Sequence, residues 1–182
     1  MARILIHICC APCLAGSLLA LEEVGEYKIE GLFYNPNIHP LDEFKRRQQS
    51  LKEYVSTMPE IKVHYIDYDP REYFRAIGEK FDPPYRCYSC WQLRLEKTAQ
   101  FAKENNIPLF TSTLLVSPYQ DQEKLKQLGE LAGEKYGVEF IFSNFRRFYS
   151  RGRKIAKELN LYRQNYCGCI FSEWERYRKL SK

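Results

Sequence analysis

ILIHICCAPC, residues 4–13, is an apolar run that stops at two adjacent cysteines and resumes after a proline. Residues 3–8 have the length and branched aliphatic content of a buried strand, and residues 14–24 space their apolar side chains as a helix does. Strand, cysteine loop, helix is the opening unit of an α/β fold, and the same alternation repeats outward from it. Strands are expected at 27–34, 61–66, 109–115 and 138–142, and helices at 41–58, 71–79, 90–105 and 122–136, the last closed by Gly137. FDPPYRC (81–87) is expected to be a loop, because Pro83 and Pro84 resist regular structure. Helices at 151–159 and 171–180 should flank a loop at 162–169. The expectation is a single α/β domain over residues 1–182: a mainly parallel five-stranded sheet with flanking helices and right-handed crossovers, followed by a helical segment from about residue 150.

In such a sheet ligands bind beyond the carboxyl ends of the strands. CCAPC ends the first strand, NPNIHP (35–40) the second, YDP (68–70) the third and SPYQD (117–121) the fourth. One edge of the sheet should therefore carry the site.

Lys and Arg outnumber Asp and Glu by 28 to 23, so net charge alone argues weakly for a polyanionic partner. Residues 144–163 are more telling. They hold Arg146, Arg147, Arg151, Arg153, Lys154, Lys157 and Arg163 against Glu158, with Phe145, Phe148, Tyr149 and Tyr162 between them. That pattern suits phosphate contact plus base stacking, and equally a solvated helix face with its packing aromatics. No stretch approaches the ~20 apolar residues of a membrane span, and the first strand lacks the pattern of a signal peptide. A cytoplasmic protein without a membrane partner is expected.

Seven cysteines are many for such a compartment, and the odd number speaks against a simple disulfide framework. Cys9 and Cys10 would point to opposite faces of an extended strand, so both can face one centre only if the chain turns there. Ala11, Pro12 and Cys13 supply a turn. Cys87 and Cys90 form a Cys-x-x-Cys that can chelate one metal edge and open a helix whose N-terminus favours thiolate. Together these pairs give the four thiolates that a cubane cluster takes and that zinc also accepts. Cys167 and Cys169 surround Gly168 as a third pair with a flexible centre, fit for a disulfide, a second metal or electron relay. Two cysteines beyond four favour redox chemistry over a closed structural site. His7, His39 and His64 share no ligand spacing, and His7 and His64 read as strand residues. No Ser-His-Asp order, catalytic carboxylate pair or Gly-rich phosphate loop is present, so nucleotide binding has no support.

ILIHICCAPC, FYNPNIHP, RCYSC, STLLVSPYQ and YCGC, in that order, resemble the cobalamin-independent epoxyqueuosine reductases of the QueH family over nearly the whole chain. The resemblance implies a Rossmann-like fold related to the adenine nucleotide α-hydrolases. It implies an oxidoreductase for the last step of queuosine synthesis, in which the epoxide on the wobble base of a tRNA anticodon is reduced. It assigns a [4Fe-4S] cluster to Cys9, Cys10, Cys87 and Cys90. Cys167 and Cys169 become a catalytic redox pair or ligands of an additional mononuclear iron, for which Cys13 is a further candidate. Its partners are tRNA bearing epoxyqueuosine and an unidentified electron donor. By position, Ser117, Tyr119 and Gln120 are expected at the substrate, and Tyr119, Asp121 and Tyr166 as candidate proton donors to the leaving oxygen. Arg146, Arg147, Arg151 and Arg153 are expected on tRNA phosphates. CCAPC stands where relatives with this fold carry a phosphate-binding Ser-Gly-Gly motif, which weighs against a tRNA thiolation enzyme using ATP. A zinc-stabilised RNA-binding module without catalysis and a metal-free dithiol oxidoreductase are the other readings.

Overall fold

The computed structural model describes residues 1–178, so Leu180, the expected end of the last helix, lies outside the described residues. Five parallel strands stand in the order β3-β2-β1-β4-β5. They are β1 (Ala2–His7), β2 (Tyr27–Phe33), β3 (Lys62–Tyr65), β4 (Leu109–Ser112) and β5 (Glu139–Phe140). The helices are α1 (Ala11–Val24), α2 (Leu41–Val55), α3 (Pro70–Ile77), α4 (Tyr85–Glu104), α5 (Gln122–Tyr136), α6 (Tyr149–Glu158) and α7 (Ile170–Tyr177). The central strand is covered on both sides, which is why its sequence is a continuous apolar run rather than an alternating one. Ile4, Leu5, Ile6 and Ile8 are fully buried. Helix α1 packs against α2 and α6, and α4 packs against α3 and α5, with α4 also lying on β1 and β4. This is the two-layer cover that right-handed crossovers impose on a doubly wound sheet. None of the described helices is long and apolar enough to cross a membrane.

Several expected boundaries shift for local reasons. The loop expected over residues 81–87 ends early, because α4 begins at Tyr85, directly after Pro84. A proline is tolerated there because the first helical N–H groups need no intrahelical partner. The expected fourth strand stops at Ser112, whose hydroxyl accepts from Leu114 N at 3.1 Å and turns Thr113–Val116 into a 3-10 helix. Helix α5 matches its signals: Asp121 accepts from Lys124 N at 3.0 Å, and Gly137 closes the helix with φ 69°.

Two interactions fix the floor of the site. His7 is fully buried between Ser112 Oγ, 3.0 Å from Nδ1, and the Tyr34 carbonyl, 3.1 Å from Nε2, so it ties β1 to both of its neighbours beneath Cys9. Burial, aided by the Arg94 charge, pushes its pKa down to about 4, so the ring is neutral. Behind the cysteine loop, α1 and α6 meet glycine to glycine. A Cβ at Gly152 would lie 2.6 Å from both Gly16 N and Pro12 O, which are backbone atoms with no room to yield.

On helix propensity alone Gly152→Ala should stabilise by about 1 kcal/mol. The close approach predicts the opposite, a loss of about 1–3 kcal/mol in urea unfolding. A neutral result would mean that α1 and α6 separate freely.

Candidate metal and substrate site

The order of the strands reverses between β1 and β4, which is where a crevice opens in a doubly wound sheet. The cysteine loop leaves β1 at that point. Cys10 stays extended as the N-cap of α1, its carbonyl accepts from Leu14 N at 3.1 Å, and Pro12 sits in the first turn. The chain thus turns through the loop and brings three sulfurs together. The Sγ atoms of Cys9, Cys10 and Cys13 all lie within 4.8 Å of one another, with Cys9 and Cys10 3.7 Å apart. Four thiolates about 2.3 Å from one tetrahedral ion would be spaced about 3.8 Å. Thr113, across on β4's extension, accepts from Cys9 N at 3.1 Å and places its hydroxyl 3.3 Å from Cys9 Sγ.

The thiols of this triad do not share charge equally. Cys10, Cys13 and Thr113 donate to the Cys9 sulfur and hold its pKa well below the usual thiol value against the cost of burial. Burial pushes Cys10 up, and Cys13 is raised because it donates to Cys10 and Cys9.

Cys87 and Cys90 lie one turn apart in the first half of α4 and so share a face. Burial pushes their thiols up to about 11 and about 12. Cys90 and Cys169 are packed with Tyr73 and Ile77 in a small second core. Cys167 is exposed and opens onto the crevice, and desolvation by the surrounding protein raises its pKa. The expected flexibility at Gly168 is absent. Its carbonyl accepts from His39 N at 2.8 Å, its N–H donates to Ser172 Oγ at 3.3 Å, and its φ of 147° favours glycine. Arg47 holds the same loop from below, donating to the carbonyls of Cys167 at 2.8 Å and Tyr166 at 3.1 Å.

Above the sulfurs lies a cavity of about 700 Å³, walled by Cys9, Cys13, Cys167, Arg94, Tyr119 and Gln164 among others. That volume suits a small molecule or a single nucleoside. Of the residues expected at the substrate, Ser117, Tyr119, Gln120 and Tyr166 line it. Asp121 does not; it caps α5 and accepts from Tyr88 Oη at 3.3 Å. Tyr166 Oη donates to the His39 carbonyl at 2.5 Å. The four arginines separate. Arg153 lines the cavity and Arg151 is exposed, whereas Arg146 donates to the Gln120 carbonyl at 2.5 Å and Arg147 is paired with Glu23. Arg94, Glu175 and Gln164 were not anticipated. Gln164 Nε2 is 2.9 Å from Cys10 Sγ, and Glu175 forks onto Arg86 with two 3.0 Å contacts. Arg94 had a signal: it follows Cys87 by seven residues and Cys90 by four, in line on one face of α4.

The chain is a doubly wound α/β protein with a cluster of thiols at its switch point, close enough in the triad to hold a metal ion. A family model described as epoxyqueuosine reductase QueH matches residues 4–175. The chain is 38% identical to the epoxyqueuosine reductase QueH of Thermotoga maritima, covering 98% of this chain and 94% of that one. It is 36% identical to the protein of the same name from Dehalococcoides mccartyi, covering 97% and 96%. The chain belongs to the QueH epoxyqueuosine reductase family. In structure it resembles a predicted subunit of tRNA methyltransferase from Methanocaldococcus jannaschii, with a TM-score of 0.55 at 15% identity over 87% of this chain and 76% of that one, a likeness of fold that agrees with the expected adenine nucleotide α-hydrolase-like class.

A metal entering the triad must expel the protons held by Cys10 and Cys13. Metal affinity should therefore rise with pH from about 7 to about 9, and an indicator dye should record about two protons released per ion bound to the triad of the metal-free protein. No release would mean that the thiolates are already formed.

Proposed function

We propose that this chain reduces the epoxide of epoxyqueuosine at the wobble position of a tRNA anticodon, giving queuosine, with an iron-sulfur centre as its redox group. The observation that carries the reading is that Cys9 and Cys13 of CCAPC and Cys167 of CGC line one cavity at the β1/β4 switch point, with Cys90 of CYSC packed against Cys169 beside it, in a chain of this family. Cys9, Cys10, Cys87 and Cys90 would hold a [4Fe-4S] cluster. Each iron of a cubane takes a different thiolate, so Cys87 and Cys90 need not stand within single-ion distance of the triad. Cys167 and Cys169 would act beside it as a redox pair or, with Cys13, as ligands of a further iron. The donor set fits such a group: thiols dominate, and Gln164 and Thr113 direct hydrogen-bond donors at sulfur. When bound, the centre would supply electrons one at a time and a Lewis-acidic iron.

Loss of the epoxide oxygen as water takes two electrons and two protons, and this chain's residues supply the setting. The cavity admits one nucleoside, so the base must leave the anticodon stack to enter it, as enzymes acting on bases require. Ser117, Gln120 and Gln164 offer polar groups to its edge. Tyr119, 82% exposed at the rim and edge-on to Tyr149 at 6.2 Å, offers a stacking face. Among Tyr119, Asp121 and Tyr166, it is Tyr119 whose side chain lines the cavity without a hydrogen bond among the described residues, and its hydroxyl is the one we place as proton donor to the leaving oxygen. Arg151 and Arg153 would meet tRNA phosphates; Arg146 and Arg147 are committed to contacts within the protein.

A second reading rests on one distance. The 3.7 Å between Cys9 and Cys10 is also the edge of a single tetrahedral ion, which would suit a zinc-stabilised RNA-binding protein without turnover.

Protein purified without oxygen and supplied with a chemical reductant should convert epoxyqueuosine in tRNA to queuosine, seen by nucleoside mass spectrometry as the loss of one oxygen. Cys167→Ser should keep the visible absorbance of the cluster and lose turnover by at least about 10²-fold. Unchanged tRNA in the wild-type reaction would favour the zinc reading; loss of the cluster in Cys167→Ser would overturn the division of the cysteines.

A further inference from the structure

Several buried hydrogen-bond donors have no partner among the described residues, and Arg94 Nη2, Arg86 Nε, the Tyr73 hydroxyl and His39 Nε2 are four of them. Tyr73 is packed with Cys90 and Cys169, and His39 lies against Tyr73 with ring centres 5.1 Å apart. His39 Nδ1 accepts from Ile170 N at 3.2 Å, which leaves the ring proton on Nε2. Arg86 is close enough to Cys169 and Cys87 for their charges to act on it. Buried donors without acceptors are rare, so a donor of this kind beside thiols is suited to meet negative charge there.

Arg94 stands apart within this set. It is 2% exposed, yet its Nε donates only to the Cys90 carbonyl at 3.2 Å, and no carboxylate pairs with it among the described residues. The other buried arginines are paired: Arg47 with Glu43 at 2.7 Å and Arg86 with Glu175 at 3.0 Å. A buried guanidinium without a counter-charge is strongly destabilising, so the fold must answer it with an anion. Thiolates formed at Cys90, Cys167 or Cys9, one from each cysteine segment, would bear on its charge. It also forms part of the cavity wall.

We propose that Arg94 is the counter-charge of the sulfur centre, donating from Nη2 to sulfur between the three cysteine segments and stabilising the centre's reduced, more negative state. The inference rests on the iron-sulfur reading above. One-electron reduction adds negative charge to the site, and a fixed positive charge against the sulfurs raises the potential at which that electron is accepted. Arg94 is thus a positioning residue for charge, with no proton to give.

The test is a redox titration of the full chain, purified without oxygen and followed by visible absorbance and electron paramagnetic resonance, with iron and sulfide measured on each sample. Arg94→Gln should lower the reduced-to-oxidised ratio at a fixed potential at least about tenfold, equivalent to a midpoint more negative by about 59 mV for a one-electron couple. Arg94→Lys, which keeps the charge without the planar fork, should fall between it and the wild type. An unchanged midpoint in an Arg94→Gln protein of wild-type iron content overturns the proposal, and so does a shift in Arg94→Lys as large as in Arg94→Gln. If Arg94→Gln fails to fold or to take up iron, Arg94→Lys decides: iron uptake with a shift under tenfold supports the role of charge, and its failure overturns it. Absence of iron and sulfide from the wild type would sink the iron-sulfur reading itself, a result distinct from either.

Discussion

The Arg47 guanidinium on α2 reaches the carbonyls of Cys167 and Tyr166, far along the chain, while Glu43 one turn back balances its charge at 2.7 Å. The CGC loop is held at one end by Cys169, the N-cap of α7, and this buried fork fixes the rest over the crevice, helped by His39 N on Gly168. Planar bidentate donation fixes orientation as well as distance, which a lysine could not do. The remaining geometry depends on it. With the loop down, Cys169 joins Cys90 in the second core and Cys167 faces the cavity that Cys9 and Cys13 also line.

The charge of the site follows the same logic. Buried thiols resist ionising, as the raised values at Cys87 and Cys90 record, so a centre built from them needs either protons or positive charge nearby. Within the triad, donors at the Cys9 sulfur hold its pKa down, and between the segments the proposed role of Arg94 supplies positive charge. Family membership, a cavity for one nucleoside, and a crevice lined by sulfur are then parts of one account, in which the fold's usual nucleotide-binding edge has been given over to thiols.

Much of this was legible in the sequence, because the signals were local. The apolar run of β1, the turn at CCAPC, the Asp121 and Gly137 ends of α5, and the strand-end placement of the motifs all depend on neighbouring residues. What depended on distant packing was not. Pro83 and Pro84 suggested a loop through Cys87, but α4 starts just after them and turns Cys87 and Cys90 onto one face. Gly168 suggested flexibility; partners from residues 37–47 pin it. That Arg146 contacts the Gln120 carbonyl and Arg147 pairs with Glu23 could not be read from the sequence, because both partners are distant along the chain. Arg94 was overlooked because a charged residue in an amphipathic helix ordinarily faces water.

The central claim, that the converging cysteines carry an iron-sulfur redox centre, is tested most directly by counting iron and acid-labile sulfide per chain in protein purified without oxygen, alongside its visible spectrum. The account predicts about four of each, with up to about one further iron, and a broad absorption that bleaches on reduction. Zinc at about one ion per chain with no sulfide would contradict it.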